Sequence, residues 1–412
     1  MDFLTNVFLV YSFIAFYFLF LFILIYVKNH KKINRVPPVT KEYALSIVIT
    51  CYNEGKSVGK AIDNLANNGY KNLKKIIVVD DCSKDNSYKI IKKYEKKYPG
   101  LVMAVQTPKN TGCAAGAKNY GSQFVTTELI GFTDGDSYPE KGAVQSTIGF
   151  FDDLKVGAVT STVLVKNRTN FLLKMQAIEY IVIKFTRKLL EFVGSIYVTP
   201  GPLAIYRREY FEKIGKFDEK NLTEDIEITW KMLYHGYDVK MSVPAKVYSI
   251  APEKFKPWFR QRIRWNKGGI QCIFKYGNVF GRRGMLGVFV LPFFIFSWVL
   301  GVFGLSIFLY RLIRTILIIY FFVSNSVQAQ TAILSMQDLN LTFSFLFYIG
   351  IILLILSTAY SILALVSIKE RKEFKRPTLL NFMVFEFFYL LMYPVILVKS
   401  AAELIAGRKT WS

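Results

Sequence analysis

Long apolar runs at both ends of the chain constrain it most, because a water-soluble fold has no use for them. Residues 3–27 are almost wholly apolar, enough at ~1.5 Å per helical residue to cross a hydrocarbon core of ~30 Å. The run has no basic leader and no small-residue cleavage site, so it reads as a retained span. Lys28, Lys31, Lys32 and Arg35 follow it. The excess of cations on cytoplasmic loops then places the N-terminus outside and the next domain in the cytosol. Three further apolar segments, 286–310, 341–368 and 379–398, are expected to span, with Pro394 as a candidate break in the last. The stretch 324–340 suits an external loop and the basic run 369–376 the cytosol. Parity of spans puts the tail 407–411 outside, although its charge suits the inside.

Between the apolar ends the pattern changes. Strand-like runs at 45–50, 75–80, 101–106 and 129–133 alternate with helical periods at 57–67, 87–97 and 114–124. This rhythm predicts an α/β domain, a mostly parallel sheet with helices on both faces. Such sheets bind ligands beyond the C-terminal ends of their strands. Further on, 143–153 reads as a helix, 157–165 as a strand, 171–192 as a helix along the membrane, 198–206 as strand-like and 223–234 as a helix capped by Thr223. The expected division is a first span (1–30), a linker (31–44) with a stiff Pro37-Pro38 step, a cytosolic domain (45–250), an amphipathic interface segment (251–285) and a C-terminal membrane region (286–412).

The net charge of +23 fits a surface facing anionic lipid or a ligand bearing phosphate. No nucleic-acid motif accompanies it, so nucleic acid is not an expected partner. The four cysteines are scattered without a CxxC pair, which supports neither zinc nor a disulfide framework.

Chemistry concentrates at the predicted strand ends. Asp134-Gly135-Asp136 puts two carboxylates two residues apart in a tight turn, able to hold a hard divalent cation and, through it, a diphosphate. Asp-Gly turns are common, but Asp80-Asp81 ends another strand on the same rim, where one carboxylate can accept from a nucleoside. Thr223-Glu224-Asp225 opens a helix. Acids there favour the helix dipole, and Asp225 is also placed to act as a general base toward an acceptor hydroxyl. In Trp258-Phe259-Arg260-Gln261-Arg262-Ile263-Arg264-Trp265, helical spacing puts Gln261, Arg264 and Trp265 on one face. Arg264 can stabilise a leaving diphosphate and Trp265 can stack on a sugar, while an interfacial helix explains the same composition. Phe255, Phe259, Ile263, Ile270 and Phe274 trace a second stripe, expected on a membrane surface.

Taken in order, Cys51-Tyr52-Asn53-Glu54, Asp80-Asp81, Asp134-Gly135-Asp136, Thr223-Glu224-Asp225 and Gln261-Arg262-Ile263-Arg264-Trp265 resemble the motifs of membrane-embedded family 2 glycosyltransferases. These include the synthases of cellulose, chitin, hyaluronan and poly-N-acetylglucosamine. The resemblance covers residues 45–270 and the membrane layout, and is strongest to the poly-N-acetylglucosamine synthases. It implies a GT-A-type nucleotide-diphospho-sugar domain beside a transmembrane region. It places Asn53, Glu54, Asp81 and Asp134 at the nucleotide, with Arg264 at the diphosphate. Asp136, with Asp134, would ligate Mg2+ or Mn2+. Asp225 would be the base of an inverting displacement, with Glu224 in the same catalytic set. Gly201, Pro202 and Leu203, within an acceptor-lining segment, would join Gln261, Trp265 and Asp225 at the acceptor. Two positions depart from the pattern: Cys82 replaces a usual Gly, and Cys113 stands where a lysine is usual.

The resemblance implies a plasma-membrane, multi-pass hexosyltransferase with a cytoplasmic catalytic domain. Its donor would be a UDP-sugar and its acceptor a growing polysaccharide translocated through the spans, with a small membrane subunit as a possible partner. A non-processive glycolipid synthase with a membrane-lipid acceptor is the alternative. A non-enzymatic nucleotide-sensing subunit would require a decayed acidic set, whereas this set is intact.

Overall fold

The computed structural model describes residues 3–328, 345–367 and 379–407. The first span is helix α1 (Phe3–Asn29). Next come β1 (Leu45–Cys51), α2 (Val58–Ala66), β2 (Leu73–Asp80), α3 (Ser87–Lys97), β3 (Val102–Gln106), α4 (Ala114–Ser122) and β4 (Leu129–Asp134). Strands β3, β2, β1 and β4 lie side by side and parallel, with β1 and β4 buried almost throughout and β2 buried from Ile76 on. One face of β1, built from Leu45, Ile47 and Ile49, packs under α2 and α3. The other, through Val48, joins Ile77 and Val79 under α4. The α/β alternation and helices on both faces are as the sequence pattern requires.

The second half of the sheet departs from it. The order is β3-β2-β1-β4-β7-β6-β8-β5, with β5 (Ser137–Pro139), β6 (Val156–Val165), β7 (Ala204–Arg207) and β8 (Asp238–Ser249). β7 runs antiparallel to both its neighbours and β5 antiparallel to β8, while the other six strands share one direction, so the sheet is mostly parallel, as expected, with two reversed strands. The cause is α6 (Phe171–Glu191), which carries the chain across the molecule before β7 re-enters from the opposite end. The expected strand at 198–206 shrinks to its last residues. Pro200 lacks an amide hydrogen to donate, and Leu203 takes φ 51°, outside strand geometry. The expected helix at 143–153 splits into α5 (Gln145–Ile148) and a 3-10 turn, Gly149–Asp152. Gly149 lies so close to the Pro37 and Pro38 carbonyls that a straight helix bearing a side chain there has no room. α7 (Arg208–Lys213) and α8 (Glu224–Tyr234) complete the domain.

α9 (Phe255–Tyr276) carries the aromatic-basic segment. Its second stripe is not one membrane-facing surface. Phe274 is 82% exposed, but Ile263 and Ile270 are buried, Ile263 against Phe382 and Phe385 of α12 (Leu379–Ile405). α6 is likewise more than a surface helix. It lies between β6 and β8 on one side and α1, α12 and α11 (Phe345–Ser367) on the other. Phe185 stacks its edge toward Tyr26 and Tyr360, and Thr186 bonds the Tyr360 hydroxyl at 2.9 Å.

Four helices among the described residues are long and apolar enough to cross a membrane. After a π-helical turn, Leu286–Val290, α10 runs from Leu291 to Gln328. It therefore passes well beyond the expected end at 310 and carries Arg311 and Arg314 within it. α12 continues through Pro394 instead of breaking there, since packing against α9 holds the helix on both sides of the proline. Of the expected outer loop, 324–328 is helical and the rest lies outside the described residues, as do the basic run 369–376 and residues 408–411 of the tail.

Candidate active site

Parallel pairing gathers the acidic motifs. Cys51 sits opposite Asp80 and Thr50 opposite Asp134, so β2, β1 and β4 end at one level. Hydrogen bonds continue past the strand ends, from Asp81 N to Cys51 O at 2.9 Å and from Gly135 N to Thr50 O at 3.0 Å. A cavity of about 1240 Å³ opens above this rim, larger than the ~300–1,000 Å³ of a single small-molecule pocket and roomy enough for two ligands. Glu54, Asp81, Asp134, Asp136, Gly201, Pro202, Glu224, Asp225, Gln261, Arg264 and Trp265 all line it. Asn53 and Leu203 do not. Asn53 accepts from Lys84 N at 2.8 Å, and its own N–H donates to Ser83. Leu203 is wholly buried in the core under β1.

On the rim, Asp81 is largely committed to the fold. It accepts from the Thr107 hydroxyl at 2.8 Å, the Thr111 hydroxyl at 2.8 Å and Thr111 N at 3.0 Å, which fixes the loop ahead of α4. Glu54, Asp134 and Asp136 are less satisfied, and Glu54 Oε2 is buried without a hydrogen-bond partner among the described residues. Burial first, then the charges of Asp136 and Asp134, push the Glu54 carboxyl up to about 9. Burial and then Asp134 raise Asp136 to about 6. Such mutual repulsion is what a bound cation relieves. Gly135 does not use a positive φ, contrary to the tight-turn expectation. It supplies room, because a Cβ there would strike the Glu54 carboxylate. Among the described residues no three His, Cys, Asp or Glu side chains converge to hold a metal unaided. Asp134 and Asp136 alone therefore fit a hard ion that keeps water and takes oxygens from a diphosphate.

The far wall is α8 and the loop 199–203. Thr199 N donates to Thr229 Oγ1 at 2.8 Å, and Ser161 Oγ donates to Pro202 O at 2.6 Å. Gly201 lies where a Cβ would stand 2.7 Å from Asp134 Oδ2, so the loop closes directly over the rim. Thr223 precedes α8 but its side chain caps nothing; its hydroxyl turns to Asn221 Oδ1 at 3.3 Å. α9 passes so closely at Gly268 that a Cβ there would overlap that hydroxyl.

Lys118 organises the two carboxylates at the head of α8. It is 2% exposed, 2.8 Å from Glu224 Oε1 and 3.5 Å from Asp134 Oδ1. Burial alone would lower its ammonium, but Glu224 and then Asp134 outweigh that and raise it above its ordinary value. In return Lys118 overcomes the burial of Glu224 and keeps that carboxyl low. Asp225 goes the other way. Burial and the Glu224 charge raise it to about 6, against the pull of Lys118 and Arg264. Two adjacent acids are thus driven apart, one locked as a counter-ion and the other poised as a base near neutral pH.

The sequence reading missed Lys118. The signal was there, since it is the single charge in residues 110–127, within the small-residue run Ala114-Ala115-Gly116-Ala117. Small residues let α4 press on the sheet, where Gly121 abuts Val48 and Val79. Cys113, at the position of the usual lysine, caps α4 by accepting from Gly116 N at 3.4 Å. Cys82, in place of the usual Gly, takes φ 56°, a left-handed conformation that favours glycine.

α9 brings Gln261, Arg264 and Trp265 to the cavity together. Its three arginines separate by helical phase: Arg260 is exposed, Arg264 lines the cavity and Arg262 is buried. Arg262 donates twice to Glu179 of α6, through Nε at 2.9 Å and through Nη2. Tyr389 and Tyr393 of α12 donate to the same carboxylate, each at 2.7 Å. The Arg262 guanidinium also lies 4.1 Å from the Trp265 ring and donates to Gln261 at 2.6 Å. One buried network thus ties the cavity side chains of α9 to α6 and to the apolar helix α12.

Residues 46–215 match the family described as Glycosyl transferase family 2. Among curated proteins, the poly-beta-1,6-N-acetyl-D-glucosamine synthase of Staphylococcus epidermidis is 26% identical over 253 residues, 60% of each chain. The probable glycosyltransferase YdaM of Bacillus subtilis (strain 168) is 31% identical over 266 residues, 63% of each. The matches thus span about three fifths of these relatives' length. Among solved structures, the mannosyltransferase PcManGT from Pyrobaculum calidifontis, in complex with GDP-Man and Mn2+, superposes with a TM-score of 0.61 at 15% identity. That superposition covers 97% of this chain and 99% of that one, so the fold likeness includes the apolar helices.

Proposed function

This chain carries a glycosyl transferase family 2 domain, and from that premise we propose that it is an inverting, membrane-bound hexosyltransferase. The donor is a UDP-sugar, with N-acetylglucosamine or glucose as the sugar, and the acceptor is the growing end of a β-linked polysaccharide. One observation carries the reading: Asp225, raised to about 6, faces the same cavity as Asp134, Asp136 and Arg264. In the step, the acceptor hydroxyl oxygen bonds to the anomeric carbon as the bond from that carbon to the diphosphate oxygen breaks. The hydroxyl proton passes to Asp225, and the nucleoside diphosphate leaves with its electron pair. Arg264 offsets the charge that grows on the leaving group. Gly201, Pro202, Gln261 and Trp265 border the acceptor.

A divalent ion, Mg2+ or Mn2+, belongs to this reading. Asp134 and Asp136 would hold it, and it would neutralise the diphosphate. The Mn2+ of PcManGT and the repelling carboxylates of this rim support that. The similarity to poly-beta-1,6-N-acetyl-D-glucosamine synthases supports N-acetylglucosamine as the sugar, and the apolar helices α10 and α12 beside the cavity support translocation of the product. The cations after α1 support a cytoplasmic catalytic domain, and the four helices long and apolar enough to cross a bilayer support a location in the plasma membrane. A second reading, transfer to a membrane lipid, is favoured by the apolar side chains of α10 and α12 that line the cavity.

The test is nucleoside-diphosphate release by the purified protein with Mg2+ or Mn2+ across a panel of UDP- and GDP-sugars. Metal-dependent UDP release with a lengthening product, digested by a matching β-glycosidase, is expected. Release only after lipid is added selects the second reading. GDP-sugar turnover overturns the donor assignment, and silence with every donor, with or without a small membrane subunit, overturns the enzyme reading.

A further inference from the structure

The part of the cavity lining contributed by α6 holds cations that the reaction above does not use. Tyr180, Lys184 and Arg187 of α6 follow one another at helical spacing and line the cavity. The opposite stripe of α6, with Phe185 and Leu189, is sealed against α1 and α11. Lys184 is 1% exposed and Arg187 5%. Lys188, next along, is neutralised in the fold by Glu191 at 2.7 Å and by Met241 O at 2.9 Å. Arg187 has no such partner. Among the described residues its Nε lacks a hydrogen bond, and no carboxylate comes within ion-pair distance of its guanidinium. Asp225 and Tyr197 reach it only as longer-range charges. A buried guanidinium without a counter-ion is costly to the fold, and its position on a cavity wall means that a ligand can supply the anion.

The neighbouring side chains identify that ligand. The donor diphosphate is already served by the rim and by Arg264. The same cavity has an apolar lining as well, from Tyr197, Phe294, Trp298 and Leu397, and Tyr197 lies near enough to Arg187 to act on its charge. Tyr197 packs edge-on against Phe294 at 5.0 Å between ring centroids. Phe294 and Trp298 belong to α10 and Leu397 to α12, both membrane-crossing by length and composition. Cations meeting apolar helix faces match an amphiphile: an anionic head on a hydrocarbon tail.

We propose that Arg187, with Lys184, binds the phosphate of a membrane lipid that serves as acceptor or as the starting point of the chain. The phosphate rests on α6, the tail lies along the apolar side chains of α10 and α12 that line the cavity, and the hydroxyl to be glycosylated faces Asp225. The phosphate itself is unchanged in the step. This inference rests on the glycosyl-transfer reading and names its acceptor class.

The experiment uses the full-length protein in a neutral detergent and reads binding by tryptophan fluorescence without donor, so it does not depend on turnover. Decyl phosphate, decyl glucoside and inorganic phosphate are the probes. Decyl phosphate is expected to bind at least tenfold tighter than either of the others, and Arg187→Met to remove that preference, with Arg187→Lys retaining part of it. The thermal midpoint of Arg187→Met is expected to equal or exceed that of the parent, since a buried charge without a partner is lost; a fall would mark a merely structural arginine. Equal binding of inorganic phosphate overturns the lipid source. Displacement of decyl phosphate by UDP assigns the cations to the donor and overturns the proposal. In a turnover arm with lipid acceptors, Arg187→Met should raise the KM for a phosphate-bearing acceptor at least tenfold and that for a neutral one less than twofold; equal shifts contradict it. Absence of any donor turnover in the parent protein defeats the transferase reading while the binding arm still reports on the site.

Discussion

The two walls of the cavity are built in opposite ways. The rim above β2, β1 and β4 is acidic and made of contiguous motifs on loops, each set by a parallel strand end. The other lining is cationic and aromatic, and it takes residues at helical spacing from α6, α9, α10 and α12, which lie far apart in the chain. A rim of repelling carboxylates suits a cation and its diphosphate. A wall of buried cations among apolar helix faces suits an anionic, partly apolar molecule. The contrast teaches that a site made at one sheet edge can be concentrated in sequence, while a site made by docked helices is dispersed.

The largest effect should come from removing metal. Chelation is expected to abolish nucleotide release, and Mg2+ or Mn2+ to restore it. Activity persisting in chelator would break the assignment of the rim to a cation. Next, Asp225→Asn should lower kcat by about 10²–10⁴-fold, the usual share of a positioned base, as read in nucleotide release at saturating donor. A fall of less than tenfold would leave α8 without the base assigned to it.

Two buried ion pairs sharpen the comparison through stability. Lys118→Met strands Glu224 beside Asp134 in the rim, and Arg262→Met strands Glu179 in the membrane-side network. Each should cost about 3–5 kcal/mol, the range for breaking a buried pair from one side, seen as a lowered midpoint of denaturation. Pairing Lys118→Met with Glu224→Gln should recover part of that loss. A neutral Arg262→Met would mean that α9 is not tied to α12 through Glu179.

pH gives a smaller, graded effect. Asp225 and Asp136 are both raised to about 6, so both take up protons as pH falls through that value. kcat/KM should therefore decline on the acid side with an apparent pKa near 6 and level off above it. The metal concentration needed for half activity should rise over the same window, because protonated Asp136 cannot ligate. A profile flat down to pH 5 would contradict both assignments. Smallest of all, Cys82→Gly should stabilise by about 1 kcal/mol by relieving a left-handed backbone, within the scatter of activity.

The same division explains what could be read in advance. The four parallel strands follow from runs of Ile and Val with helical periods between them, and their C-terminal ends placed Glu54, Asp81, Asp134 and Asp136 together. Gln261, Arg264 and Trp265 were legible because helical spacing alone puts them on one face. Asn53 and Leu203 stood inside recognisable motifs yet turn away from the cavity, as a motif fixes backbone position and not side-chain direction. Lys118 and Arg187 were passed over because an isolated cation on a helix is ordinarily a solvated one. Only the docking of α4 on the sheet and of α6 on the spans makes them buried. The reversal of β7 was hidden for a related reason, since strand direction depends on where α6 delivers the chain.

The central claim is a single displacement at the anomeric carbon with Asp225 as base. It is tested most directly by the anomeric configuration of the first product, read from the proton coupling constant in an NMR spectrum. With an α-linked nucleotide donor, the account predicts a β-linked product. An α-linked product would show that the configuration is retained and would contradict it.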